Sequence, residues 1–376
     1  MADKAAKQTR LGTNPLFNGR KLKLGTFSTN LAYAGAFSTV EGTHTADWPA
    51  VLSLAKMADE MEFEAIVPVA RWRGFGGINN VAGPGFETYT WAAGLGAATK
   101  YSCIFATSHV PLVHPLMAAK QMAVIDHITG GRSCLNVVTG WNRPEIEMFG
   151  IELIEHDKRY DMAEEWLQIV DRLWTQEEEF DHQGTYYTIK KGYLEPKPLQ
   201  SPRPVVMNAG GSERGRHYAA KYADVSFVPP KSRDLDVLKE MVASYYELGR
   251  DDYDNDLQMW TNCYVVQGET EKEAQDKLRY YIHEKGDWEG GGQLIETMGI
   301  NAETFTDEEL TGMKAHFMAG WGGYPLVGTK EQIVDKMIKL GECGFNGILL
   351  TWVKFEEEMR EFMTETYPLL EQAGVR

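Results

Sequence analysis

Cysteine is scarce. The four in this chain of 376 residues, Cys103, Cys134, Cys263 and Cys343, lie far apart, with no close pair and no metal-ligand spacing. A disulfide scaffold is thereby excluded, and the four read as reduced, buried small hydrophobes of a cytosolic protein. Basic charge is short as well: 38 Lys and Arg face 54 Asp and Glu, a formal net charge of −16. A phosphate-backbone binder needs a cationic surface, so nucleic acid is not an expected partner, while a small anion in a local pocket is compatible with this balance. Long hydrophobic runs are missing too. No stretch of about 18 apolar residues occurs, so no membrane span is expected, and Met1 to Arg10 is polar and charged, unlike a signal peptide. The expected location is cytoplasmic.

Several catalytic signatures are also absent. There is no Gly-x-Ser-x-Gly elbow, no suggested Cys–His pairing, no P-loop lysine and no Gly-x-Gly-x-x-Gly. His109 and His114 have no carboxylate at zinc-ligand spacing, so no metal site is expected.

What is present is a globular composition, 43% hydrophobic and 24% charged, with a repeating order. Short runs apolar at nearly every position mark strands buried on both faces: Leu22–Phe27, Ala65–Val69, Cys103–Thr107, Ser133–Val138, Val205–Asn208, Val225–Val228, Met259–Val266 and Gly347–Trp352. Between them lie helical patterns, including Trp48–Glu62, Thr88–Ala98, Pro115–Ile128, Arg159–Leu173, Glu213–Tyr222 and Lys330–Leu340. Asp47 is the expected N-cap of the first, and Thr329 with Gln332 the capping box of the last. Strands each followed by a helix predict an α/β protein, a (β/α)8 TIM barrel with insertions, formed by one domain over 1–376. Two segments break the rhythm. Residues 177–204 form a polar excursion with a hairpin-like Tyr186-Tyr187-Thr188. Residues 286–323 read as a long glycine-rich loop, placed to act as a lid or subunit contact. Residues 1–20 are expected to be an extended N-terminal arm.

A barrel carries its chemistry at the carboxyl ends of its strands. Two glycines and a serine, Gly210-Gly211-Ser212, stand at a strand-to-helix junction. There they either cradle an anion on backbone N–H groups or form an ordinary capped turn. Arg159 and Tyr160 could supply a cation and a hydroxyl to the same anion. Asn136 lies within a strand, where a buried amide demands a polar partner, and Thr107 ends the neighbouring strand. Trp72, Phe75, Trp141, Trp321 and Tyr324 are candidates for an aromatic rim around a small-molecule substrate, or else for core packing.

Ile125-Asp126-His127-Ile128-Thr129-Gly130-Gly131-Arg132, followed by Asn136-Val137-Val138-Thr139-Gly140-Trp141, resembles the bacterial-luciferase superfamily of flavin-dependent monooxygenases. His156-Asp157-Lys158-Arg159-Tyr160, Trp174, Gly184-x-Tyr186-Tyr187, Pro196-Lys197-Pro198-Leu199-Gln200 and Leu326-Val327-Gly328-Thr329 strengthen the resemblance over nearly the whole chain. Arg73-Gly74-Phe75-Gly76-Gly77, Thr139-Gly140-Trp141-Asn142-Arg143-Pro144-Glu145 and Leu349-Leu350-Thr351 are similar to the pyrimidine (uracil) monooxygenase subgroup. The stretch around Pro196–Gln200 is similar to dimethylsulfone monooxygenases.

The resemblance implies a luciferase-like TIM barrel, O2 as cosubstrate, and reduced FMN supplied by a separate NAD(P)H:flavin reductase as transient partner. It also implies a homodimer or homotetramer. By position it implies FMN contacts at Ala70, Arg71, Asn136, Glu145, Arg159, Tyr160 and Ser212, and catalytic roles for Thr107 and Asn136 in holding O2 beside the flavin. The implied reaction opens or cleaves a small neutral N-heterocycle at a C–N bond through a flavin-N5-peroxide. Oxidation of a sulfone or other organosulfur compound with C–S cleavage, and a barrel that binds flavin without turnover, stand as alternatives. The sulfonate-holding charges of alkanesulfonate monooxygenases are replaced by Asn262, Tyr264 and Ala319, which favours a neutral substrate.

Overall fold

A strand with apolar side chains on both faces has no side to offer water, and this chain answers by closing its sheet into a ring. The computed structural model describes residues 14–299 and 305–376. Its strands are β1 Lys23–Phe27, β2 Ala65–Val67, β3 Cys103–His109, β4 Ser133–Val138, β5 Phe180–Gln183, β6 Thr188–Gly192, β7 Val205–Asn208, β8 Val225–Phe227, β9 Gln258–Gln267, β10 Tyr324–Gly328 and β11 Gly347–Thr351. The main sheet runs β10-β9-β11-β1-β2-β3-β4-β7-β8, and β9 also pairs with β8. That last pairing completes a parallel ring of β1 to β4, β7 to β9 and β11, the expected (β/α)8 barrel. The eight ring strands are the eight apolar runs read from the sequence, with ends shifted by one or two residues. The largest changes, two residues each, are at β2, which stops at Val67, and β3, which continues to His109. β10, absent from the sequence reading, pairs with β9 over 263–267, beyond the point where β8 stops at 260.

Alternation along each ring strand divides the core in two. Inward side chains such as Val67, Phe105, Met207 and Trp260 fill the barrel, while outward ones such as Ile66, Ile104 and Val206 pack beneath the helices. Helices Thr88–Ala98 and Glu213–Tyr222 have the expected bounds. Asp47 caps Trp48–Glu60 through Ala50 N, and Thr329 with Gln332 forms the capping box of Lys330–Glu342.

Residues 14–20 do not form an extended arm, and the remainder of the expected arm, residues 1–13, lies outside the described residues. Pro15–Phe17 is a short 3-10 turn that closes the floor of the barrel. Leu16 is fully buried among the inward side chains, and Gln258 Nε2 donates to its carbonyl at 2.7 Å.

Residues 177–204 carry the antiparallel hairpin β5/β6. Its turn sits on the carboxylate of Glu165, which accepts the backbone N–H groups of Thr185, Tyr186 and Tyr187 at 2.8–3.0 Å. The described part of 286–323 is mostly helical rather than a loop. Trp288–Thr297 and Asp307–Met318 are helices, capped by Asp287 and by a Thr306–Glu309 capping box. The glycines of the first helix allow the second to approach closely: a Cβ on Gly291 would meet Met318 Cε at 2.9 Å. Among the described residues no helix is long and apolar enough to cross a membrane.

Two of the quoted sequence blocks meet in space. The buried carboxylate of Asp126, in helix Pro115–Thr129, accepts from Ser133 Oγ (2.9 Å), Leu199 N (2.7 Å), Gln200 N (2.9 Å) and Gln200 Nε2 (2.6 Å). Asp126→Ala strands these donors in the interior and should destabilise the fold by about 2–3 kcal/mol. Urea denaturation checks this: an unchanged midpoint would show that the carboxylate does not tie 196–200 to the barrel.

Candidate active site

The carboxyl ends of the ring strands surround a cavity of about 490 Å3, a size typical of small-molecule and cofactor sites. Its walls are mostly apolar, with Phe27, Phe227, Phe317 and Trp321 among them. Trp321 is held in place on two sides. Its indole N–H donates to Ser28 Oγ at 2.9 Å, and its backbone N–H donates to Gly35 O at 3.3 Å. The ring lies where a Cβ on Gly35 would be, so only glycine fits there. This contact joins the loop after β1 to the 286–323 segment across the mouth.

One end of the cavity is built for an anion. Asn208 ends β7, and its Oδ1 accepts Gly210 N at 2.9 Å, turning the chain into helix Glu213–Tyr222. Ser212 caps that helix, its Oγ accepting Gly215 N at 3.0 Å. The backbone N–H groups of Gly211 and Ser212 meet no acceptor among the described residues. Tightness explains Gly210, since a Cβ there would lie 2.6 Å from Gly215 O. The Tyr160 hydroxyl lies where a Cβ on Gly215 would be, over the first turn of the same helix. Arg159 is half-buried and donates from Nη1 to Gly140 O. Its Nε is buried without a partner, and no ion pair to it is formed among the described residues. Burial lowers its pKa. An uncompensated guanidinium beside a helix N-terminus and free N–H groups attracts negative charge.

The deeper end is polar and neutral. Thr107 and Asn136 face each other across the β3–β4 pair. Thr107 Oγ1 donates to Pro68 O at 2.8 Å and accepts Asn136 Nδ2 at 3.2 Å. Asn136 Oδ1 is buried with no partner. The Thr107 proton is therefore already used, and Asn136 is the side chain left with an open acceptor and a spare N–H.

The β3 wall adds a residue that sequence reasoning set aside. His109 follows Thr107 by two positions on the same face of β3 and lines the cavity. Burial, helped by the charge of Arg71, pushes its pKa down to about 3, so the ring is neutral. Arg71 also lines the cavity, its guanidinium 4.8 Å from the Trp141 ring centroid. It is paired with Glu145, Nη1 to Oε2 at 3.2 Å.

Several expected site residues are placed elsewhere. Glu145 does not line the cavity: its oxygens accept Trp72 N (2.9 Å), Arg73 N (3.2 Å) and Arg71, so it clamps the 70–73 loop from behind. Trp72 is 46% exposed and packs edge-on against Phe149, outside the cavity. Phe75 is buried against Phe37 and Trp321. Tyr324 opens β10 and faces a separate cleft with Arg233 and His316. Ala70, Gly210, Gly211, Ser212, Trp141 and Trp321 do line the cavity. Among the residues missed, Phe27 and Phe227 end β1 and β8, so the rule of inspecting strand ends reaches them. Asn262 also lines it, with Oδ1 unpartnered, whereas Tyr264 and Ala319 are packed in the core beneath the 286–323 segment. All four cysteines are buried and unpaired. Among the described residues no group of three or more His, Cys, Asp or Glu is arranged to hold a metal ion.

The donor set fits a ligand with an anionic tail and a flat body that hydrogen-bonds at one edge. Comparison with known proteins agrees with that geometry. A dimethylsulfone monooxygenase from Pseudomonas putida, described as FMNH2-dependent, is 30% identical over 335 residues, covering 85% of this chain and 87% of the relative. The pyrimidine monooxygenase RutA of Acinetobacter baylyi is 27% identical over 321 residues, covering 84% and 86%. In fold, the chain is similar to a riboflavin lyase crystallised with modified FMN and riboflavin, with a TM-score of 0.82 at 21% identity and 94% and 92% coverage. Residues 29–347 match the family described as luciferase-like monooxygenase. The chain belongs to that family and is a monooxygenase.

Proposed function

We propose that this enzyme uses reduced FMN and O2 to oxygenate a small neutral N-heterocycle, of pyrimidine or pyridine type, and to break a ring C–N bond. A separate NAD(P)H:flavin reductase would supply the reduced cofactor. The observation that carries the reading is the pairing, in one cavity, of an uncompensated Arg159 with an orphaned buried Asn136 Oδ1. Arg159, the Gly211 and Ser212 N–H groups and the Tyr160 hydroxyl would hold the phosphate. Asn136 would accept from the N–H edge of the flavin ring. Bound in the reduced form, FMN supplies the electrons that activate O2. The chain's part is to orient and to keep dry. Phe27, Phe227, Phe317 and Trp321 exclude water from the reacting atoms, and the spare Asn136 N–H is available to donate to oxygen as negative charge develops on it.

Charge accounting supports a neutral substrate. Arg71 is offset by Glu145, His109 is uncharged, and Asn262 lines the cavity as a neutral amide at the position that the resemblance matches to a sulfonate-holding charge. A second reading, oxidation of a small sulfone with C–S cleavage, is favoured by the 30% identity to the dimethylsulfone monooxygenase. Self-association is supported by exposed Met117, Val124 and Ile128 on helix Pro115–Thr129, an apolar stripe on the surface.

Mixing the enzyme with anaerobically reduced FMN, then adding O2 and either uracil, a pyridine or dimethylsulfone, tests the reading by product analysis. An oxygenated heterocycle is expected, an oxygenated sulfone would select the second reading, and hydrogen peroxide alone would contradict both. Two variants probe the two ends of the cavity. Arg159→Ala should weaken FMN about 10- to 100-fold, the worth of about 1.5–3 kcal/mol for a charge-assisted hydrogen bond, and leave riboflavin binding unchanged. Asn136→Ala should retain FMN yet lower product formed per reduced flavin oxidised; wild-type coupling would remove Asn136 from the chemistry.

A further inference from the structure

We infer that His109 and Arg71 form a substrate subsite for a neutral oxo group, a ring carbonyl or a sulfonyl oxygen. The inference rests on the monooxygenase reading above and names what the substrate must carry. His109 Nδ1 and Arg71 Nε are both buried, and neither has a hydrogen-bond partner among the described residues. The side chain of Arg71 is 5% exposed and His109 is 6% exposed, and both line the central cavity. Most buried polar side-chain atoms in native proteins are paired, so two unpaired ones that also line the same cavity point to a ligand there.

Chemistry and charge narrow the ligand. Arg71 Nε–H is a donor only, and the neutral imidazole can present an N–H at Nδ1, so an acceptor oxygen satisfies both. A carboxylate or sulfonate would need net positive charge, but the charge of Arg71 is already balanced by Glu145 at 3.2 Å. An uncharged C=O or S=O needs donors alone. The guanidinium is also held still: Nη1 donates to Ala70 O at 3.1 Å as well as to Glu145, and Cζ lies over the Trp141 ring, 4.8 Å from its centroid. Glu145 in turn grips the Trp72 and Arg73 amides, so the donor sits on a fixed loop. His109 stands two residues beyond Thr107 on β3, about 7 Å further toward the mouth by the rise of a strand. An oxo group there leaves the rest of a small substrate pointing down toward Asn136.

Binding separates this inference from the reaction. Calorimetry on the enzyme loaded with oxidised FMN would compare uracil and dimethylsulfone with dimethyl sulfide, which lacks the oxo group. At least one oxo compound should bind, and the sulfide more weakly or not at all. His109→Leu should weaken the bound oxo compound at least tenfold with FMN affinity unchanged, and His109→Asn, which restores a donor, should recover most of the loss. The compound that depends on His109 tells whether the oxygen is carbonyl or sulfonyl. Failure of both oxo compounds to bind, equal binding by wild type and His109→Leu, or loss of FMN rather than oxo affinity would overturn the subsite. His109-dependent binding without oxygenated product would uphold it and contradict the proposed reaction.

Discussion

Everything in this cavity is organised by a guanidinium left without a carboxylate. Arg159 is half-buried at the mouth of a closed sheet, lining the same cavity as the turn that opens helix Glu213–Tyr222, and it forms no ion pair within the described residues. The Ser212 hydroxyl is occupied in capping the helix, and the Gly211 and Ser212 amides of the same cavity wall meet no acceptor among the described residues. The barrel turns a local feature into a site, because ring closure brings β7 with its turn and β3 with its polar ladder to one opening.

The opposite wall obeys a different rule. Arg71 is buried more deeply than Arg159, and a charge so placed is tolerated only when paired. Glu145 supplies the pair and also holds two backbone amides, so one carboxylate neutralises the wall and sets the shape of the loop. The result is a cavity with positive potential at one end and uncharged hydrogen-bonding groups at the other. Such a division suits a charged cofactor tail and a neutral substrate side by side.

The ring strands were legible because burial on both faces leaves an unbroken apolar run, which few other structures require. Where a run was interrupted, reading failed. Ser108 and His109 look like a loop after Thr107, yet alternation simply carries the strand on and points His109 inward. Gly290-Gly291-Gly292 looks like a linker, and its real cause, the approach of Met318 and Asp287, is invisible until the chain is folded. Asn136 could be singled out in advance because an amide inside an apolar strand demands a partner. Glu145 could not be placed, since position along the chain does not tell whether a carboxylate turns toward the cavity or toward a neighbouring loop. Trp72 and Tyr324 were misplaced for the same reason: an aromatic near a strand end has two sides to choose from, and contacts distant in sequence decide.

The most direct measurement is a crystal structure of the enzyme with FMN. The phosphate is expected against Arg159 and the Gly211 and Ser212 amides, with the polar edge of the ring against Asn136. A phosphate lodged instead in the cleft of Lys231, Arg233 and His316, or a ring remote from Asn136, would contradict the assignment of the two ends.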